Sequence, residues 1–438
     1  MKRLRRPDLG RKLIDILLLE GVVSPARLLS ELDISAATLS RLIAKSERKI
    51  LRFGETTNTR YGMPREIPGI KSQIPYFTVN ENGELKSVAK FIVFYRNTYA
   101  MDPGARFFGG LPPEIFDMAP QGFLGRGFVK RFGSELSLPA RLSDWSNDHI
   151  LAAVARRGED FPGNVVFGQE SAERWMRLQY EDVTTAQYPH LARAALGDQP
   201  VGSSAGGEQP KFTALTDGKH CIVKFAGMND SDVQRLWRDL LICEWIALET
   251  LKSCGVQVAN AKLRSDGQMV FLEVERFDRI GPKGRKAVLT LAAIDNAHWG
   301  MRDGWSEAAA RLEQSLLVDK RDARTMRFLD AFGALIGDSD RHFQNIAFYP
   351  RHSYDAKTLR ERYVLAPAFD KLPMMFAPES GNIIAREFPP PVPNAHMLDV
   401  WDEARKAAVL FWNRVCSDKR ISKDFLKIAE QCRKTIVG

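Results

Sequence analysis

Two charged residues in apolar surroundings constrain the fold of this chain more than any other feature. Lys224 lies in the apolar strand pattern Ile222–Phe225. Glu244 lies in a helix predicted over Asp232–Ser253, with leucine or alanine three and four positions away on both sides. A charge on a buried apolar face needs a partner of opposite charge. The pattern therefore predicts a Lys224–Glu244 ion pair that joins strand and helix, whereas on an exposed face Lys224 would only be solvated.

The residues before this strand are mostly small. Gly202–Lys211 is rich in glycine, serine and alanine, and strands are predicted over Phe212–Thr216 and Cys221–Phe225, joined by a two-residue Asp217-Gly218 turn. Backbone N–H groups of such a loop can bind phosphate oxygens. An ordinary flexible loop is the alternative interpretation. The predicted nucleotide-binding residues are Ser204, Gly206, Gly207, Lys224 and Glu244.

The same loop also matches a second pattern. Gly202, Ser204 and Gly206 have the spacing of the hydrolase nucleophile elbow, which requires a strand before the serine and a helix after it. A strand is predicted after this serine instead. The hydrolase interpretation is therefore disfavoured.

A run of polar residues after position 336 has the spacing of a catalytic loop. Asp340 and Asn345 are five positions apart, in the D-x-x-x-x-N pattern, and apolar residues 346–349 follow. The aspartate can accept the proton of an attacking hydroxyl, and the asparagine can hold Mg²⁺. Asp370 follows a strand predicted over 363–366, which suits a second magnesium ligand. A strand lysine paired with a helix glutamate is also how protein kinases hold the phosphates of ATP.

The strand predicted over Gln268–Glu275 is followed by Arg276-Phe277-Asp278-Arg279. In a kinase-like chain this position is the hinge between the lobes. We expect backbone groups of Glu275 and Phe277 to meet the adenine there. The alternative is that this segment is simply the end of a strand.

The chain from about residue 200 to 410 resembles the HipA family of toxin-type serine/threonine kinases. The resemblance rests on 203–211, 222–225, 274–279, 337–345 and 368–370, and residues 100–130, with Leu111-Pro112-Pro113, resemble that family more loosely. It implies a two-lobed protein-kinase-like fold that uses ATP and Mg²⁺. It also implies Asp340 as the base, Asn345 and Asp370 as the metal ligands and Lys224 as the phosphate-binding lysine.

The resemblance further implies how such a chain is regulated and what it acts on. Family members autophosphorylate a serine in the glycine-rich loop, and Ser203 is the best positional match, with Ser204 next. The expected substrate is a protein, with an aminoacyl-tRNA synthetase as the family precedent. Family kinases usually work beside a separate DNA-binding antitoxin, whereas this chain carries its own basic N-terminal segment.

Positive charge is concentrated at the start of the chain. Residues 1–65 contain 14 Lys and Arg against seven Asp and Glu, and so account for most of the net charge of +9. Helices are predicted over 11–20, from Pro25 to about 31, and over 36–46, with a hairpin after residue 50. This order predicts a small winged helix-turn-helix domain, and its charge predicts a double-stranded DNA partner. A packing domain with a solvated basic face is the alternative.

The third helix would present small and basic residues to the duplex, because small side chains let the backbone approach base edges and arginine and lysine reach phosphates. Basic residues beyond it would flank the DNA. A homodimer is compatible with this arrangement, since winged helices often pair on palindromes. The predicted DNA-binding residues are Ala37, Ser40, Arg41, Lys45, Arg48, Lys49, Arg52 and Arg60.

The predicted fold class is α+β, with a kinase-like, HipA-like fold behind the winged helix. The predicted domains are the winged helix-turn-helix at 1–65, a mixed α/β subdomain at 66–200, an ATP-binding lobe with the glycine-rich loop at 201–280 and a mainly helical catalytic lobe at 281–438. In the second of these, strands are predicted over 74–79 and 91–95, and helices over 148–157 and 172–180.

Composition excludes several classes of protein. With 44% hydrophobic and 27% charged residues the chain is globular, and no apolar run approaches the about 20 residues of a membrane span. No signal peptide is recognised. Five cysteines without a CxxC pair disfavour a disulfide scaffold and structural zinc. We therefore expect a cytoplasmic protein without a membrane partner.

Three functions remain open on the sequence. The first is an autophosphorylating serine/threonine kinase with its own DNA-binding domain. The second is a DNA-binding transcriptional regulator whose kinase fold only senses nucleotide. The third is a metal-dependent DNase in which Asp340, His342, Asn345 and Asp370 form the metal cluster. Transfer of phosphate from ATP separates the first, and cutting of plasmid with Mg²⁺ alone would identify the third.

Overall fold

The computed structural model describes residues 6–103, 106–197, 209–355 and 358–437. They divide into two compact units. The first comprises the residues up to Val79 with Leu85–Ala119 and Arg131–Leu178, and the second comprises Asn80–Glu84, Pro120–Lys130 and the residues from Gln179 onward. Within the described ranges, no helix combines the length and the apolar character that crossing a lipid bilayer requires.

The first unit begins with three helices and a small antiparallel sheet, in the order expected for a winged helix-turn-helix. The elements are α1 (Arg6–Glu20), β1 (Val22–Val23), α2 (Pro25–Leu32), α3 (Ala36–Ala44), β2 (Leu51–Phe53) and β3 (Arg60–Gly62), with strand order β1-β3-β2. The predicted caps are confirmed: Ser24 accepts from the Arg27 N–H and Ser35 from the Thr38 N–H. Helix α1 begins five residues before its predicted start.

A five-stranded antiparallel sheet follows in the same unit. Its strands, in the order β7-β6-β5-β4-β8, are β4 (Gln73–Val79), β5 (Leu85–Val93), β6 (Tyr99–Asp102), β7 (Arg106–Phe108) and β8 (Val165–Phe167). The helices of this unit are α4 (Pro113–Asp117), α6 (Asn147–Arg157) and α7 (Gln169–Arg177), whereas α5 (Gly122–Phe132) belongs to the second unit up to Lys130. The strands and helices predicted between residues 74 and 180 are thus present, each within a few residues of its predicted bounds apart from the start of β5.

The N-terminal elements from α1 to β3, here called the winged segment, share a core with this sheet. Phe53 of β2 stacks on Phe94, with ring centroids 5.1 Å apart, and lies at the same distance from Phe107 of β7. A Cβ atom on Gly62 would lie 2.6 Å from the Phe94 ring, so only glycine permits this approach. The predicted boundary at residue 65 is therefore not a boundary between separate cores, because apolar side chains from both sides of it pack together.

The second unit contains a four-stranded sheet packed on a long helix. The elements are α8 (Tyr188–Leu196), β9 (Lys211–Thr216), β10 (Lys219–Ala226), α9 (Asp232–Ser253), β11 (Ala261–Ser265) and β12 (Val270–Glu275), with strand order β11-β12-β10-β9. The predicted Asp217-Gly218 turn has positive φ at both residues, as a two-residue hairpin requires. Helix α8 packs on this sheet through Tyr188, so the compact units divide after Leu178 rather than at the predicted residue 200.

The rest of the second unit is mainly helical, as predicted. Its strands are β13 (Arg279–Ile280), β14 (Gly284–Arg285), β15 (Leu289–Thr290), β16 (Ala347–Asp355) and β17 (Thr358–Leu365). Its helices are α10 (Leu291–His298), α11 (Trp305–Gln314), α12 (Lys320–Ile336), α13 (Trp401–Ser417) and α14 (Lys423–Val437). Helix α12 ends at Gly337, whose φ of 76° terminates the helix and starts the predicted catalytic loop.

Candidate functional site

The predicted ion pair between Lys224 and Glu244 is present at the centre of the second unit. Lys224 Nζ lies 2.7 Å from Oε1 and 2.8 Å from Oε2 of Glu244. The two side chains are 7% and 1% exposed, so water does not compete for either charge. Strand β10 and helix α9 are therefore joined by the contact that the sequence predicted.

Lys224 contacts a second carboxylate, which the sequence did not predict. Its Nζ lies 2.7 Å from Asp370 Oδ1. Burial disfavours the ammonium form, but Asp370 and Glu244 outweigh it and raise the pKa of Lys224. Burial likewise disfavours an ionised Asp370, yet Lys224 and Lys211 hold the pKa of Asp370 below its ordinary value. The ammonium therefore stays charged between two carboxylates.

Backbone pairing fixes Asp370 beside helix α9. The residue two positions earlier, Ala368, accepts a hydrogen bond from the Ala259 N–H at 2.9 Å and donates its N–H to Gln257 at the same distance. Both partners lie in the segment that follows α9. Asp370 itself has a φ of 54°, a left-handed conformation that residues other than glycine adopt uncommonly.

The loop after α12 closes around Asp340 and Asn345. Asn345 Nδ2 donates to the Asp340 carbonyl at 2.9 Å and to Asp340 Oδ2 at 3.3 Å. His342 Nε2 lies 3.4 Å from Asp340 Oδ1. The aspartate side chain remains 41% exposed. The predicted base and the predicted metal-binding amide are thus in contact through the Asn345 amide nitrogen.

The electrostatic environment of Asp340 favours the protonated form of its carboxyl group. Partial burial raises the pKa of Asp340, and the negative charges of Asp370 and Asp338 raise it further. His342 and the Asn345 amide act in the opposite direction without reversing the shift. Asp340 is therefore more readily protonated than an ordinary aspartate.

A buried ion pair beneath the loop was missed by the sequence analysis. Lys371 Nζ lies 3.2 Å from Asp338 Oδ2, and the two side chains are 1% and 0% exposed. The same ammonium lies 4.0 Å from the centre of the Trp305 ring. The available signal was a lysine directly after Asp370 in an otherwise apolar stretch, which needs an anionic partner if it is buried.

The loop is also tied to helix α12. Arg341 Nε donates to Asp330 Oδ1 at 2.9 Å, and another guanidinium nitrogen donates to the Asp338 carbonyl. Asp330 is buried in the middle of α12. The loop conformation is therefore set by side chains on both sides of it.

The predicted hinge residues lie next to the segment that carries Asp370. The Phe277 ring lies 5.6 Å from Phe369 and 6.1 Å from Tyr349, and its carbonyl accepts from the Tyr349 hydroxyl at 3.3 Å. The Glu275 N–H already donates to the Asn260 carbonyl at 2.8 Å. Of the Glu275 backbone groups, only its carbonyl is thus a candidate for contact with an adenine.

The predicted glycine-loop residues Ser203, Ser204, Gly206 and Gly207 lie outside the described residues. The residues that follow them are ordered against β10. Gln209 Nε2 donates to the Phe225 carbonyl, and the Phe225 N–H donates to Pro210 at 3.2 Å. Lys211 is the register partner of Lys224 across β9 and β10. Its charge lowers the pKa of Asp370, so Lys211 is a further cation at the site that the sequence analysis missed.

The donor set suits Mg²⁺ better than a transition metal. Asp370 offers a carboxylate and Asn345 an amide oxygen, and Mg²⁺ prefers hard oxygen ligands completed by phosphate and water. Among the described residues, no three His, Cys, Asp or Glu side chains converge closely enough to hold a metal on their own. The nuclease-like cluster of Asp340, His342, Asn345 and Asp370 stays a prediction.

Seven of the eight predicted DNA-binding residues are exposed, and Arg60 is the exception. Arg60 is half-buried: its guanidinium donates to the Thr57 and Thr59 carbonyls at 3.2 and 2.8 Å and lies 5.6 Å from the Phe107 ring. It is therefore engaged within the protein rather than extended toward a duplex. The exposed residues are Ala37, Ser40, Arg41, Lys45, Arg48, Lys49 and Arg52.

Comparison with known proteins assigns the chain to a family. A family model described as the YjjJ-like toxin, middle domain, matches residues 70–176, and one described as the HipA-like C-terminal domain matches residues 203–437. Toxin YjjJ of Escherichia coli strain K12 is 33% identical over 433 residues, which cover 95% of each chain. The chain belongs to the HipA-like toxin family.

Two further similarities extend the picture of this HipA-like chain. The serine/threonine-protein kinase toxin HipA of Shewanella oneidensis strain MR-1 is 26% identical over 158 residues, which are 34% of this chain and 36% of that protein. A solved structure of the Shewanella HipA, HipB and operator DNA complex includes a chain that matches 82% of this one and 96% of its own length, at 15% identity and a TM-score of 0.50. The predicted family and the predicted kinase-like fold of the HipA-like chain are confirmed.

Proposed function

We propose that this HipA-like chain is a serine/threonine protein kinase that uses ATP and Mg²⁺ and carries its own DNA-binding segment. The observation that carries the proposal is the set of contacts around Lys224. One buried ammonium joins Glu244 of helix α9 to Asp370, and Asp370 acts electrostatically on Asp340. A strand lysine, a helix glutamate and two acidic residues in these roles are what phosphoryl transfer requires.

In this proposal the adenine lies against the aromatic residues at the hinge. Phe277, Tyr349 and Phe369 form a connected group of rings beside the Glu275 carbonyl. That carbonyl would accept from the adenine amino group, and the Phe277 backbone would complete the contact. The flat rings would bury the base and leave the triphosphate pointing toward Lys224.

Two lysines would bind the phosphates. Lys224 is held in place by Glu244, so its ammonium is oriented before a nucleotide arrives. Lys211 lies opposite it in the strand register. Backbone N–H groups of Ser204, Gly206 and Gly207 would cover the phosphates, as a glycine-rich loop does in kinases.

Asn345 and Asp370 would hold Mg²⁺, which when bound neutralises charge on the phosphate oxygens. The Asn345 amide nitrogen donates to Asp340, and the amide oxygen would be the magnesium ligand. Asp370 is a quarter exposed, so its carboxylate can be reached from solvent. The low pKa of Asp370 keeps it ionised.

Asp340 would accept the proton of the attacking hydroxyl. Its carboxylate is accessible, and its raised pKa makes it a better base than an ordinary aspartate. Ser203 is the proposed site of autophosphorylation, with Ser204 as the other candidate. A protein substrate of the aminoacyl-tRNA synthetase class is proposed from the family resemblance alone.

The N-terminal segment supports a DNA-binding role. Arg41, Lys45, Arg48, Lys49 and Arg52 are exposed on α3 and the residues after it. A dense set of exposed cations on a helix-turn-helix order favours a polyanionic duplex. The related Shewanella HipA was solved with HipB and operator DNA. We propose that here the same chain supplies both the kinase and the DNA contact.

Transfer of radiolabelled phosphate from ATP tests the kinase activity. The full-length chain with Mg²⁺ should label itself, and mass mapping should locate the phosphate at Ser203 or Ser204. Asp340→Asn should bind ATP as the unsubstituted chain does and transfer phosphate at least about 100-fold more slowly. Asp402→Asn, an exposed residue of α13, is the matched control. Unchanged transfer by Asp340→Asn would refute the proposal.

The same variants separate the second candidate function. The exposed cations of the N-terminal segment also suit a DNA-binding regulator whose kinase fold only senses nucleotide. In that case the effect of expressing the chain in cells would be the same for Asp340→Asn as for the unsubstituted chain. Substitution of Arg41 and Lys45 would remove that effect. The kinase proposal expects loss of the phenotype with Asp340→Asn.

A further inference from the structure

We infer that the buried Asp338–Lys371 ion pair is a positioning device that sets the distance between Asp340 and Asp370, an inference that rests on the proposed kinase function. The two acidic residues come from different segments, the loop after α12 and the segment after β17. A phosphoryl-transfer site needs them in one fixed geometry, since a displacement of 1 Å can cost about 100-fold in rate. The ion pair is a side-chain contact that joins the two segments directly, in addition to the hydrogen bond of 3.0 Å from the Met375 N–H to the Gly337 carbonyl.

The two oxygens of Asp338 bind one segment each. Oδ1 accepts the backbone N–H of Asp340 at 3.0 Å. Oδ2 accepts from Lys371 Nζ at 3.2 Å. Because Lys371 is the next residue after Asp370, the carboxylate connects the backbone of the proposed base to the neighbour of the proposed metal ligand. Rotation or loss of this one group would therefore remove a contact from both segments at once.

The tryptophan on α11 fixes the other side of the lysine. Trp305 is 1% exposed, and the Lys371 ammonium lies 4.0 Å from its ring centre. Its Nε1–H donates to the His342 carbonyl at 3.2 Å. Lys371 therefore lies between two groups that each hold the loop, so a shift of the lysine moves the loop at residue 338 and at residue 342.

Stability alone does not account for a charged pair at this place. Removing two charges from water costs several kcal/mol per ion, and apolar residues of similar volume often stabilise a core as well or better. What the pair adds is direction, because hydrogen bonds to a carboxylate fix angles that apolar contacts leave free. Asp338 and Lys371 are thus assigned as positioning residues, and Asp340 remains the catalytic residue.

Three variants of the full-length chain separate positioning from stability. Lys371→Met leaves Asp338 buried without its cation, and Asp338→Asn with Lys371→Met removes both charges. Lys371→Arg keeps the charge. Arg311→Met is the matched control, because it removes a cation from the buried Asp295 in the same lobe without touching the loop. For each, the thermal midpoint, kcat, the KM for ATP and the Mg²⁺ concentration at half-maximal rate are measured.

We expect Lys371→Met to lower the midpoint, to reduce kcat by about 100-fold and to raise the Mg²⁺ requirement. The double variant should regain the midpoint but keep the low kcat, and Lys371→Arg should regain part of the rate. Arg311→Met should lower the midpoint with an unchanged kcat. If the double variant recovers kcat along with its midpoint, the pair is only structural and the inference is wrong.

Failure of the proposed function is recognised separately. If the unsubstituted chain transfers no phosphate, the kinase proposal fails. The role of the ion pair in positioning Asp370 is then tested by calorimetric measurement of ATP binding over a series of Mg²⁺ concentrations. A raised Mg²⁺ requirement for binding in the double variant still supports a fixed Asp370. An unchanged requirement overturns the inference.

Discussion

Lys224 donates to Asp370 across 146 positions of sequence, with 2.7 Å between Nζ and Oδ1. The same ammonium is bound by both oxygens of Glu244. The two carboxylates differ in exposure, at 25% for Asp370 and 1% for Glu244. If the proposed kinase function is correct, a phosphate oxygen that enters from solvent would replace Asp370 as a partner of Lys224, whereas Glu244 would stay in place. This exchangeable contact would make the lysine available to a nucleotide.

Replacing Lys224 should separate stability from nucleotide binding. Lys224→Met leaves Glu244 buried without a cation, and we expect it to lower the free energy of unfolding by about 3–5 kcal/mol and to abolish ATP binding. The double variant Lys224→Met with Glu244→Leu should recover most of the stability but none of the binding. Denaturant unfolding measures the free energy of unfolding, and calorimetry measures ATP binding. ATP binding by the double variant at the original affinity would contradict the assigned role of Lys224.

The Lys224–Glu244 pair could be predicted because each residue interrupts an apolar pattern with a fixed period. The strand and helix patterns then determine which faces meet. The contact with Asp370 could not be predicted in the same way, since it depends on the pairing of Ala368 with the residues after α9, which no local pattern encodes. The same limit applies to Asp338 and Lys371, whose sequence neighbours give no indication of which segment lies opposite.

The surroundings of Arg60 depend on a residue that lies outside the first 65 positions. Its place in the hairpin predicted a phosphate contact, as for the basic residues on α3. In the fold, Phe107 of a later strand lies beneath its guanidinium, and two nearby carbonyls bind it. The sequence within 1–65 contains no sign of that ring. The prediction for the exposed residues did not depend on such a distant partner.

The rate of phosphoryl transfer should depend on pH through Asp340. The base acts in its ionised form, so activity is lost as the pH falls through its pKa, which burial and the charges of Asp370 and Asp338 raise above the ordinary aspartate value. His342 lowers this pKa, so His342→Gln should move the acidic limb of kcat against pH to higher pH. A pH–rate profile of both proteins measures the shift. A limb that moves to lower pH would show that another group controls it.

The exposed residues Arg41 and Lys45 should contribute to DNA binding, whereas Arg60, whose guanidinium is hydrogen-bonded within the protein, should not. Each lost phosphate contact reduces the slope of log affinity against log salt by about 0.9. We expect Arg41→Ala and Lys45→Ala each to reduce the slope by roughly this amount, and Arg60→Ala to leave it nearly unchanged. Fluorescence anisotropy with duplex DNA over a range of salt concentrations gives the slopes. Lys427→Ala, 76% exposed on α14, is the charge control. Equal slopes for all variants would argue against DNA binding through α3.

The N-terminal segment should unfold together with the five-stranded sheet. Phe94 is fully buried, stacks on Phe53 of β2 and fills the space beside Gly62, so its ring belongs to both parts. Phe94→Ala should cost about 3–5 kcal/mol through the cavity that it leaves, and should destabilise the N-terminal segment and the sheet equally. Hydrogen exchange in the full-length chain measures both effects: exchange in α3 reports the stability of the N-terminal segment, and exchange in β5 reports that of the sheet. Val88→Ala, whose side chain is 39% exposed on β5, is the control. If Phe94→Ala speeds exchange in β5 but not in α3, the winged segment is an independent folding unit and the shared core is not what stabilises it.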